Sequence, residues 1–91
     1  MTFEKTDDPC AQGAIVIRGI TCDRDGVKAE YRWLSEHYPG YAVVHNGLET
    51  SIAGSGCRSV FDSFTLESPA GEQVGITFEI SSFYAKYENC S

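Results

Sequence analysis

The chain has 91 residues, with seven basic and thirteen acidic side chains and a net charge of -6. That charge repels phosphate backbones and anionic bilayers, so nucleic acid and membrane surfaces are not expected partners; a protein partner is. Hydrophobic residues make up 42% and aromatics 12%. This is enough for one packed core, too much for a disordered chain, and too little length for two cores, so residues 1–91 are read as a single domain.

No apolar run of about 18 residues occurs, and "MTFEK" shows no basic segment leading into a hydrophobic one. The expectation is a soluble, cytoplasmic protein whose four cysteines, Cys10, Cys22, Cys57 and Cys90, are reduced thiols.

Residues 1–13 mix charge with Pro9 and Gly13 and read as a loosely held arm. "AIVIRGI", Ala14 to Ile20, is short, mostly apolar and rich in β-branched residues, which predicts a largely buried strand. From Asp25 to Tyr38, Val27, Tyr31, Leu34 and Tyr38 fall at i, i+4, i+7 and i+11, one stripe of an α-helix. Asp23 or Asp25 is expected to cap its start, and Pro39-Gly40 to stop it in a type II turn.

"YAVVHN", Tyr41 to Asn46, reads as a second strand and the segment after it as a turn-rich loop. Val60 to Glu67 is a third strand, with Val60, Phe64 and Leu66 on one side, and "SPAGEQ" closes a hairpin. The last strand alternates most clearly: Val74, Ile76, Phe78 and Ile80 face a core, while Gly75, Thr77, Glu79 and Ser81 face water. The order β-α-β-β-β predicts an α+β two-layer sandwich, one helix packed on a four-stranded, mostly antiparallel sheet.

In that topology Cys22, His45, Cys57 and Cys90 gather at one end of the sheet, a Cys3His set of the composition used for structural zinc. Cys10 stays at the other end, which disfavours a Cys10–Cys90 disulfide. None of the four ligands comes in a C-x2-C or H-x3-H pair, so each would arrive from a different loop. The expected protein holds no cofactor, with a zinc or redox-active thiol site as the alternative reading.

"GITC" followed by a helix and a Pro-Gly turn resembles the metal-binding loop of heavy-metal-associated domains. That family places a second cysteine three residues after the first, where this chain has Asp25, and one thiolate cannot give Cu(I) its two-sulfur environment. "DRDG" resembles half of a calcium loop, but Thr21 and Arg32 stand where its first and last carboxylates belong. "TSIAG" resembles the first hairpin loop of cystatins, with Thr50 for glutamine and Ile52 for valine; no Pro-Trp second loop accompanies it. "AGSGCRS" could form an anion nest with Arg58, but lacks the lysine and spacing of a P-loop.

No serine stands in a nucleophile elbow and no histidine neighbours Cys22 in sequence, so the residues favour binding over catalysis. Arg24, Lys28 and Arg32 form a solvated helical stripe. Opposite it, Glu30, Trp33 and His37 line the other flank, and tryptophan is strongly enriched in interaction hot spots. The expected function is therefore a small acidic protein-interaction module, monomer or homodimer, using Trp33, His37 and Glu30 and an exposed sheet edge.

Overall fold

The computed structural model describes residues 2–5, 13–50 and 59–86. Its elements are β1 (Thr2–Lys5), β2 (Ile15–Arg18), α1 (Asp23–His37), β3 (Ala42–Thr50), β4 (Val60–Glu67) and β5 (Gln73–Glu79). The sheet order is β1-β2-β5-β4-β3. β2 and β5 run parallel and the other three pairs antiparallel, so the protein is α+β with one helix over a mixed five-stranded sheet.

The expected count of four strands is corrected to five, because the arm contributes β1. Phe3 pairs with Ile17 across the β1–β2 ladder, and the Arg18 Nε donates to the Glu4 carboxylate at 2.7 Å. A single apolar residue among charges carries no periodicity, which is why the strand was hidden. The second expected strand also runs on to Thr50, its register with β4 holding as far as Thr50 opposite Val60.

The hairpin between β4 and β5 closes as its sequence predicts. Ser68 Oγ accepts from the Ala70 and Glu72 amides, and Gly71 takes a positive φ of 88°. At the end of α1, the Tyr41 amide donates to the Tyr38 carbonyl at 3.2 Å, with Gly40 at φ 83°, as the Pro-Gly turn requires.

The helix packs on the sheet face that carries Phe64 and Leu66 of β4 and Phe78 of β5, with Ile17, Ile80 and Phe83 completing the core. Its buried residues are Gly26, Ala29, Glu30 and Leu34. Val27 and Tyr31, expected at the centre of the buried stripe, are instead exposed. The helix is rotated by one residue, about 100° at 3.6 residues per turn, from the orientation its large apolar side chains imply. The cause lies after β5: the Phe83 ring sits on Gly26 so closely that a Cβ there would overlap it.

The expected aspartate cap is also corrected. The residue at the N-cap is Cys22, which makes no side-chain capping bond. Asp23 instead ties the helix start to the C-terminal turn: its amide donates to the Lys86 carbonyl at 2.6 Å, and its carboxylate accepts from the Ala85 amide at 2.9 Å. Asp23 and Asp25 still place negative charge in the first turn, where it suits the helix dipole.

Candidate functional site

One helix of 15 residues cannot cover five strands. It covers β2, β5 and β4 and leaves the outer strand β3 open, so that eight of the nine residues from Ala42 to Thr50 are exposed. The register with β4 puts Val43, Asn46 and Leu48 on the same side as Leu66, Phe64 and Asp62, the side the helix occupies. Val44 is the extra residue of a bulge between Val43 and His45. The result is a cleft with β3 as one wall, Val27 and Tyr31 as the other, and β4 as its floor.

At its lower end the cleft opens into a hollow of about 320 Å³ lined by Tyr31, Leu34, Tyr38, Tyr41, Val43 and Leu66. Tyr31 is held there by an edge contact to Phe64, ring centres 5.5 Å apart. Leu48 is 53% and Tyr31 46% exposed, so both walls present apolar surface to water.

At the upper end the floor is acidic. Glu30, one turn below Gly26, is wholly buried, and neither carboxyl oxygen has a hydrogen-bond partner. Burial, then the neighbouring Asp62 and the charge of Asp23, push its pKa up to about 10 from 4.5. The Asp62 carboxylate beside it favours the protonated form. Asp62 is itself half-buried and accepts from Asn46 Nδ2 at 2.6 Å, which links the acid pair to β3. At neutral pH Glu30 is thus a buried neutral acid beside half-buried Asp62, the member of the pair that lies nearer to β3.

Of the three residues expected on the binding surface, Glu30 is corrected: it faces the core side of the helix and is buried because the helix is rotated. Trp33 is half-buried. Its ring meets Phe78 edge-on at 5.6 Å and stacks on His37 at 4.1 Å. His37 is exposed, and its Nδ1–H donates to the Trp33 carbonyl at 3.0 Å. A second hollow of about 320 Å³ lies beside this stack, with Phe3, Lys5, Tyr38 and Ile76 among its walls.

The expected zinc set does not assemble from its described members. Cys22 is buried and bonded in a disulfide whose partner lies outside the described residues, so the reduced-thiol expectation is overturned for it and no thiolate is offered to a metal. His45 is not at the same end of the sheet. It sits opposite Thr65, which is opposite Gly75 near the start of β5, whereas β2 begins level with Phe78 and leads upward to Cys22. Three strand spacings, about 14 Å, also separate β3 from β2. Among the described residues no group of three histidine, cysteine or acidic side chains could hold a metal ion.

Cys10, Cys57, Cys90 and the loop residues 51–58, "SIAGSGCR", lie outside the described residues. No described helix is long and apolar enough to cross a membrane.

No family model, no curated protein and no solved structure matches this chain.

The cleft's chemistry was partly visible in the sequence. Asp62 interrupts the alternation Val60, Phe64, Leu66 at a position that faces the core, and a charge at such a position signals either a partner or a function.

Proposed function

We propose that this protein is a binding module that takes an extended, basic segment of a partner protein as an additional strand on β3. The observation that carries this reading is the open edge. Among the described residues β3 pairs only with β4, leaving the backbone groups of a nine-residue edge unpaired beside exposed Val43, Val44 and Leu48. Natural sheets rarely leave so long an apolar edge uncovered. An added strand would gain ladder hydrogen bonds from β3 and set alternate side chains into the hollow beneath Tyr31.

A second copy of this chain fits less well than a basic partner, because each copy carries six excess negative charges. The reading keeps the protein-interaction class expected from the sequence and moves its surface from the Trp33 flank to the β3 cleft. The bonded Cys22 supports work in a compartment where disulfides persist, rather than in the reducing cytoplasm.

The test is an NMR titration of the labelled protein with synthetic hexapeptides alternating valine with threonine and one lysine. The expected result is amide shifts running along Ala42–Thr50 and at Tyr31. Shifts confined to the Trp33–His37 hollow, or none at all, would overturn the reading.

A further inference from the structure

The chemistry of the partner can be specified more closely, on the footing of the strand-addition reading. We infer that Glu30 and Asp62 form an anchor for the ammonium or guanidinium group of one lysine or arginine on the added strand.

A wholly buried carboxyl with neither oxygen hydrogen-bonded is a costly arrangement, on the order of 1–3 kcal/mol for the missing partners alone. The charged groups acting on it are both acids: Asp62 from β4 and Asp23 from its own helix, two turns earlier. β3 contributes the neutral amide of Asn46, and the turn after β5 contributes the Phe83 ring against Gly26, one helical turn away. No described ion pair involves Glu30 or Asp62; those formed are Arg18–Glu4, Arg24–Asp25 and Arg32–Glu36.

Asp62 lies opposite Leu48 on β3, on the side that opens into the cleft. A strand added outside β3 would run about 9.6 Å from β4, two strand spacings. Asn46 already reaches Asp62 from one spacing, and the longer stem of lysine or arginine reaches it from two. Asp62 is half-buried, so a cation reaching it would meet a carboxylate at a dielectric below that of bulk water. It would also draw the proton off Glu30, making both acids charged partners of one cation. Proton release then couples binding to pH: affinity rises with pH, by up to tenfold per unit, between the bound and free pKa of Glu30.

The experiment moves a single lysine through each position of a valine-threonine hexapeptide and compares each peptide with its norleucine counterpart. Affinities are measured at pH 7, 8 and 9 on the wild type, Glu30→Gln and Asp62→Asn. One lysine position should bind at least tenfold more tightly than its norleucine counterpart, with affinity increasing as pH rises. Asp62→Asn should remove most of the lysine preference, and Glu30→Gln should abolish the pH dependence while leaving the fold intact. If lysine and norleucine peptides both shift the β3 amides with equal affinity, or if Glu30→Gln retains the pH dependence, the anchor is wrong and strand addition stands. If no peptide shifts β3, both fall together.

Discussion

The Phe83 ring lies directly on Gly26, in the space a side chain at that position would need. This contact sets the rotation of α1: with Gly26 turned toward the ring, Glu30 points inward and Val27 and Tyr31 are left beside uncovered β3. Gly26→Ala should therefore destabilise the protein even though alanine favours a helix by about 1 kcal/mol. Overpacking typically costs about 1–3 kcal/mol, so a net loss of up to about 2 kcal/mol is expected in denaturant titration. Adding Phe83→Leu should recover part of it, a non-additivity that a pair not in contact would not show.

Glu30 makes stability depend on pH in a definite direction. Its folded pKa is raised from 4.5 to about 10, so the folded state holds a proton that the unfolded chain releases. Its contribution is complete below pH 4.5 and is lost as pH rises through about 10, with a limiting slope of about 1.4 kcal/mol per pH unit. Glu30→Gln keeps the shape, removes the titration and offers Asp62 a donor. Between pH 6 and 9 the variant should be more stable than the wild type by a margin that grows with pH, on the order of 2–3 kcal/mol near pH 7. Thermal melts across that range check it; parallel curves for the two proteins would contradict the buried acid.

The backbone plan was legible where sequence periodicity is local. The alternation from Val74 to Ile80, the Pro39-Gly40 stop and the Ser68–Glu72 turn all stand where their residues place them. The helix face was not legible, because a stripe of large apolar residues misses an interface built on Gly26, Ala29 and a neutral glutamate. Nothing within α1 announces that Phe83, 57 positions later by number, claims the glycine. The cleft was hidden for the same reason: Val27 and Tyr31 looked like core residues, and their exposure follows only from the rotation.

Cys22 is buried at the helix start, next to the segment where Asp23 binds Ala85 and Lys86. Cys22→Ala removes its disulfide and should cost about 2–4 kcal/mol. Reductant should lower the melting temperature of the wild type and leave that of the variant unchanged at this bond. Alkylation of the native protein without reductant should spare Cys22, and its rapid labelling would refute the bond.

Leu48 separates the binding surface from the core most cleanly. It is more than half exposed, stands on the helix side of β3 and lies opposite Asp62 without joining the core cluster. Leu48→Ser should change stability by less than about 0.5 kcal/mol, as exposed substitutions usually do. If an added strand covers the cleft, the same change removes apolar area from the contact and should weaken hexapeptide binding roughly tenfold, about 1.4 kcal/mol, close to the lower end of the roughly 1.5–3 kcal/mol that a fully buried leucine contributes. Leu66→Ser, on the buried floor, should instead unfold the protein because it places a hydroxyl in the core. Isothermal titration with melting curves on the same samples distinguishes the two outcomes. Lost affinity at Leu48 without lost stability makes β3 a contact surface; unchanged affinity would leave the exposed leucine without that role.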